Sequence, residues 1–237
     1  MSAPRPMIEV EDRGRVRILS VRRPPVNAIN LEVATEIERA VSEAVTDASR
    51  AAIVLTGVPG VFSAGVDTRE VPAYDAAKRA AMLRTVNRMV LALYGAAKPV
   101  IAAISGHALG GAFVMALACD RRLAARGEFK LGLTESRAGV PFPAGPLEIV
   151  HAELTPAEKR LLVLGSVTGA PDSPLLDRIV DRVVEPAALL DEAVAEAERW
   201  SALGGYAVVK RQLRARTLEQ LARIVEHDDE PLLAHWV

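Results

Sequence analysis

Two kinds of apolar spacing run along the chain. Near the start, IEVEDRGRVRILSVRR alternates apolar and charged residues on either side of Gly14. That period of two, broken by a glycine, predicts a hairpin with strands over 7–12 and 15–21. LEVATEIERAVSEAV then sets Leu31, Ile37, Val41 and Val45 at helical spacing, with Asn30 as its N-cap. AAIVLTG and KPVIAAISG are instead unbroken apolar runs of strand length that end in glycine. Such runs predict strands covered on both faces. Between them, YDAAKRAAMLRTVNRMVLALYG turns Met82, Val86, Met89, Val90 and Leu93 inward as a long helix that stops at Gly95. GGAFVMALAC reads as a buried helix opening at a double glycine, and RRLAA and EFKLG as short strands. From Leu154 onward the pattern is helical, with helices near 155–164, 186–203 and 206–226. The proline-rich GVPFPAGP (139–146) reads as a loop. The expected architecture is an α/β layer with a helical C-terminal region. A core over 1–185 and the helices of 186–237 are expected to form one structural unit.

Composition narrows the partners. With 237 residues, half of them hydrophobic, the chain can bury a sizeable core. Twenty-nine basic residues against 30 acidic ones leave a net charge of -1, so no global field draws nucleic acid or an anionic membrane. No run is apolar enough to span a bilayer, and MSAPRPMIEV lacks the apolar stretch of a signal peptide. The single cysteine, Cys119, excludes an internal disulfide, fits a reducing compartment, and sits in the apolar run LALACD as a small hydrophobe. The expectation is a soluble cytoplasmic protein.

Several common catalytic devices are missing. The chain has no phosphate-cradling G-x-x-x-x-G-K-[ST], no G-x-G-x-x-G and no G-x-S-x-G. His107, His151, His227 and His235 lack metal-ligand spacing, so no metal is expected. What remains is a pair of small-residue turns, PGVFSAGVDTRE (59–70) and SGHALGGAFVMALACD (105–120), each following an apolar strand. Either they are ordinary strand-to-helix turns, or they aim two free backbone N–H groups at one point as an oxyanion hole. The second device needs only small side chains that let a carbonyl approach the backbone.

FSAGVD together with KPVIAAISGHALGGAFVMALACDRRLAA closely resembles the crotonase superfamily of enoyl-CoA hydratases and isomerases. The resemblance runs from about Ile8 through Arg211 and includes RRPPVNAIN, VLTG and FKLGLTESRAGV in order. It implies a crotonase-like ββα spiral, assembled as a homotrimer or a hexamer of paired trimers. It implies an acyl-CoA or enoyl-CoA substrate in fatty acid metabolism, with coenzyme A entering as part of the thioester and no separate cofactor. The oxyanion donors would be Val66 and Gly111. The adenine end of coenzyme A would lie against the first loop, around Ala64 and Val66, with Arg22 or Arg23 meeting its phosphates. Gly65, Asp67, Leu109, Gly110, Val114, Thr134 and Phe142 complete the expected substrate-binding set, and Asp67 itself reads as a helix cap rather than a catalyst.

Hydratases of this family generally use two glutamates. One position is Val114 here, which transfers no proton; the other is Glu135 in GLTESRAG. Monofunctional Δ3,Δ2-enoyl-CoA isomerases resemble the chain most in detail, through PPVN, PGVFSAG-D and GLTE. The expected reaction is therefore a double-bond shift with Glu135 as single acid/base, its pKa raised by an apolar surround. A one-glutamate hydratase and a catalytically silent acyl-CoA binder are the alternatives. The chain departs from the family's pattern at His107, at Ala112, in lacking a lysine before the first motif, and in its short tail EPLLAHWV.

Overall fold

The computed structural model describes residues 6–235. The ends of the expected core and tail, 1–5 and 236–237, lie outside the described residues. β1 (Ile8–Arg13) and β2 (Val16–Val21) form the antiparallel hairpin, with Gly14 at φ +57° in its turn. α1 (Leu31–Thr46) starts at Asn30, whose Oδ1 accepts from the Val33 N–H at 3.0 Å. That bond satisfies one of the donors every helix start leaves free.

Among the described residues, three ββα units follow. The first is β3 (Ala52–Thr56), β4 (Gly60–Ser63) and α2 (Ala76–Gly95). The second is β5 (Val100–Ile104), β6 (Gly106–Leu109) and α3 (Gly111–Ala118). The third is β7 (Arg121–Ala125), β8 (Leu131–Gly132) and α4 (Glu135–Ala138). After them come α5 (Ala144–Glu153) and α6 (Pro156–Glu158), which runs into a π-helical turn over Lys159–Leu164. β9 (Arg182–Val184), α7 (Leu189–Ser201), α8 (Tyr206–His227) and α9 (Leu232–His235) complete the chain.

The first strand of each unit enters a large sheet, in the order β1-β2-β3-β5-β7-β9; the second enters a small one, β4-β6-β8. Every pair except the opening hairpin is parallel. The unbroken apolar runs have the predicted cause. Ile53 and Leu55 of β3 face the main core, whereas Ala52 and Val54 face a second cluster under Leu189, Ala193 and Ala197 of α7. Phe62 is wholly enclosed in the main core, a burial that contributes roughly 1.5–3 kcal/mol. Cys119 is buried, and burial pushes its thiol up to about 12, as suits an inert small hydrophobe. α8 is held on the core by Arg214 and Lys210, which both pair with the buried Asp120 at 3.0 and 2.8 Å. No helix among the described residues is long and apolar enough to cross a membrane.

Three expectations need correction. The 139–146 loop ends at Pro143, and α5 begins at Ala144. Pro146 lies in its first turn, where a missing N–H breaks no helical bond, so the proline-rich pattern hid a helix start. EFKLG contracts to the two residues of β8, and β4 and β6 are four-residue strands inside segments that read as turns. The chain from Leu154 onward is also not wholly helical, because β9 pairs with β7 at the edge of the large sheet.

Candidate active site

The site lies where β4, β6 and β8 end. Past β4, the Ile29 N–H donates to the Gly65 carbonyl at 2.8 Å, and the Asp67 N–H donates to the Ile29 carbonyl at 2.9 Å. This isolated parallel bridge turns the intervening Val66 amide to the opposite side. Past β6, Gly110 takes φ +55° and α3 opens at Gly111, whose N–H is a first-turn donor with no partner in its own helix. Neither the Val66 nor the Gly111 N–H donates a hydrogen bond among the described residues. The two loops meet closely. A Cβ on Gly65 would stand 2.4 Å from the Leu109 carbonyl oxygen and 3.2 Å from the Gly111 nitrogen. A Cβ on Gly111 would stand 3.8 Å from the Val66 nitrogen.

Glu135 reaches this point from the start of α4. Its Oε1 and the Thr134 Oγ1 lie 3.2 and 3.3 Å from where a Gly110 Cβ would be. The residue is half-buried as a whole, but Oε2 is fully enclosed and has no hydrogen-bond partner among the described residues. Burial raises its pKa above the ordinary 4.5, against a smaller downward pull from the backbone N–H groups of Glu135 and Thr134. The cavity around it, about 90 Å³, also takes in Ala64, Val66, Gly110, Gly111, Val114 and Phe142 from the expected set. Val114, 1% exposed, lines the same cavity and offers Glu135 only hydrocarbon. Two converging N–H donors beside a lone carboxyl in an apolar cavity can hold a developing oxyanion while a proton is moved next to it.

Five expected residues stand outside the cavity lining. Gly65 and Leu109 shape the loops but do not line the cavity. Arg23 faces inward: its guanidinium donates to Asp67 Oδ2 at 2.7 Å, Glu70 Oε2 at 2.6 Å and the Ala28 carbonyl at 3.1 Å. Its charge is already matched there by two carboxylates. Arg22, the other candidate, pairs with Glu9. Asp67 also accepts from the Arg69 and Glu70 N–H groups, both at 3.0 Å, and so caps the turn that follows. His107 is structural: its Nδ1 accepts from the Lys130 N–H at 3.0 Å, and its ring meets Phe129 edge-on.

The sequence reading missed the far wall. Val86, Met89 and Val90 of α2 line the cavity together with Phe142 and Pro146. Their helical spacing was legible, but a stripe facing a cavity and a stripe facing a core have the same period.

Known proteins resemble the chain along most of its length. The family model described as enoyl-CoA hydratase/isomerase matches residues 11–234. "Enoyl-CoA delta isomerase 1, mitochondrial" of Mus musculus is 29% identical over 229 residues, covering 94% of this chain and 79% of that protein. "Probable enoyl-CoA hydratase EchA17" of Mycobacterium tuberculosis is 32% identical over 191 residues, covering 80% of this chain and 72% of that protein. The crystal structure of human mitochondrial delta3-delta2-enoyl-CoA isomerase superimposes with a TM-score of 0.86 at 28% identity, covering 94% of this chain and 88% of that one.

Proposed function

Because the chain belongs to the enoyl-CoA hydratase/isomerase family, we propose that it shifts the double bond of a 3-enoyl-CoA to the 2-position, with Glu135 as its single acid/base. The thioester oxygen lies between the Val66 and Gly111 N–H groups. The Glu135 carboxylate takes a proton from C2, and the electron pair moves onto that oxygen as a conjugated enolate. The enolate collapses, the double bond forms between C2 and C3, and the same carboxyl returns its proton to C4. No water enters, and atoms and charge balance. Each N–H donor supplies about 3 kcal/mol to the enolate-like transition state. The carbonyls of Ala64 and Val66 accept no hydrogen bond among the described residues, which suits them to the adenine end of coenzyme A.

The observation that carries the reading is the enclosed, unpartnered Oε2 of Glu135 in an apolar cavity that Val114 also lines. A hydratase must also hold and activate a water, and the hydrocarbon of Val114 offers that water no partner. The hydratase reading keeps support from the name of the mycobacterial relative. Incubation with a 3-enoyl-CoA and, separately, a 2-enoyl-CoA separates the two. Conjugated thioester absorbance without a mass change supports isomerisation, and a gain of one water from the 2-enoyl-CoA supports hydration. Neither product, with acyl-CoA still bound, marks a silent binder.

Assembly as a homotrimer or hexamer is part of the same proposal. It is supported by the exposed apolar residues Leu203, Val208, Val209 and Leu213 at and before the start of α8. Light scattering of the purified protein tests it. A mitochondrial matrix and the cytosol both suit the lone buried Cys119.

A further inference from the structure

The two apolar walls of the cavity are joined outside it by buried polar groups that the proposed reaction does not use. Asn87 sits on α2 among the lining residues Val86, Met89 and Val90, and is 2% exposed. Its Oδ1 accepts from the Gly145 N–H at 2.9 Å, and its Nδ2 donates to Glu230 Oε2 at 2.9 Å. The same Oε2 accepts from the Ala144 N–H at 2.7 Å, while Oε1 accepts from the Leu232 N–H at 3.0 Å. Glu230 is 5% exposed, and no lysine or arginine pairs with it among the described residues. A buried carboxylate without a cation persists only where hydrogen bonds and fixed dipoles replace its water. Here those are the Asn87 amide, the Leu232 N–H and the Ala144 N–H at the start of α5, whose dipole favours negative charge.

The joint is tight. A Cβ at Gly145 would stand 2.8 Å from Asn87 Oδ1 and 3.0 Å from Val90 Cγ2, so glycine is what lets α5 approach α2. The chain entering the joint is anchored as well, since Arg84 of α2 grips Asp228 through Nε at 2.8 and 2.9 Å. Phe142 and Pro146, which form the second wall, lie within four residues of the clamped Ala144 and Gly145 amides.

We propose that Asn87 and Glu230 are positioning residues: they clamp the start of α5 to α2, fix the gap between Val86–Met89–Val90 and Phe142, and so determine which acyl chains fit. The inference rests on the reading of the cavity as an acyl-thioester site. Each methylene held between both walls adds to affinity, so a loosened gap flattens the dependence on chain length.

The test uses the full-length protein and the variants Glu230→Ala, Glu230→Gln and Asn87→Ala. Two quantities are measured: amide hydrogen exchange at 144 and 145, and calorimetric affinity for octanoyl-CoA and acetyl-CoA, which do not react. Glu230→Ala and Asn87→Ala are expected to lose about tenfold or more of the protection at these two amides, while β3 keeps its own. The octanoyl-to-acetyl affinity ratio should shrink by about fivefold or more, with Glu230→Gln intermediate because it retains one acceptor oxygen. Unchanged protection overturns the clamp. Lost protection with an unchanged affinity ratio overturns its role in selecting the acyl chain. If the wild-type protein binds neither thioester, the reading of the cavity fails, and the exchange measurement decides the clamp by itself.

Discussion

The carboxyl group of Glu135 occupies the space that a side chain on Gly110 would need, with Oε1 3.2 Å from the ideal Cβ position. The loop that supplies one oxyanion donor is thus shaped around the acid that moves the proton. Gly110→Ala should therefore do two kinds of damage. Forcing a side chain to φ +55° costs about 1–3 kcal/mol of stability. Displacing the carboxyl by a few tenths of an ångström or more should lower turnover at least about tenfold. Urea midpoints and saturating turnover of a 3-enoyl-CoA measure both, and full turnover in a folded variant would refute the contact.

Glu135→Gln separates catalysis from stability. Turnover should fall about 10²–10⁴-fold, since an amide moves no proton. Stability should move the other way. Unfolded, the carboxyl titrates near its ordinary 4.5; folded, burial raises it. Below 4.5 both states keep the proton and the burial of charge costs nothing. As pH rises through the folded value, the native state must carry the charge in an apolar cavity, and stability is lost. The glutamine variant escapes that loss, so it should be the more stable protein at about pH 7–8, with the gap closing below 4.5. Urea midpoints across that range check the sign. A variant less stable than wild type at neutral pH would show that burial is not the cause of the shift.

Arg23→Ala should weaken the fold and spare the ligand. Removing the guanidinium takes one donor each from Asp67 and Glu70 and leaves the Ala28 carbonyl without one, a loss of about 1–3 kcal/mol. Affinity for coenzyme A should stay within about twofold, because the guanidinium is already held by two carboxylates and does not line the cavity. Acid should act on the same cluster. Burial pushes the Asp67 carboxyl up, but the Glu70 N–H, Arg23 and the Arg69 N–H outweigh it, so the net shift is down from 3.8. The Tyr74 hydroxyl, then Asn30 and Arg23, lower Glu70 from 4.5. The stability these two provide is complete above their ordinary values and drains away as pH falls through the lowered ones. A large drop in coenzyme A affinity in Arg23→Ala would restore the phosphate role.

What the sequence made legible follows physical scale. The buried strands β3 and β5, the capped helix α1 and the two glycine turns each carry a local signal: an unbroken apolar run, an Asn at N-cap, a residue that tolerates positive φ. Glu135 and Val114 were legible through their place in the motifs. β4 and β6 were not, because four residues that include a glycine have no periodicity to read, and β8 showed only as the longer run EFKLG. The ion pairs of Arg23 were not legible because its partners Asp67 and Glu70 lie more than 40 positions away and meet it only in the fold. The α2 wall was visible as a stripe, but what it faces is set by α5 and by Glu230, from the far end of the chain.

Gly111 offers the sharpest test of backbone catalysis, because its N–H can be deleted at little structural cost. It is the first residue of α3, the helical position where proline is best tolerated. A Cβ there would meet Val66 Cγ2 at 3.5 Å, an ordinary contact. Gly111→Ala keeps the N–H and should retain turnover within about threefold, since alanine suits a helix better than glycine. Gly111→Pro removes the N–H and puts a ring methylene in its place. Stability should change by no more than about 1 kcal/mol, while turnover falls about 10²–10³-fold. Comparing the two separates the donor from the bulk of the side chain. If the proline variant folds and turns over as the alanine variant does, the Gly111 amide is not an oxyanion donor, and the enolate must be held by other groups.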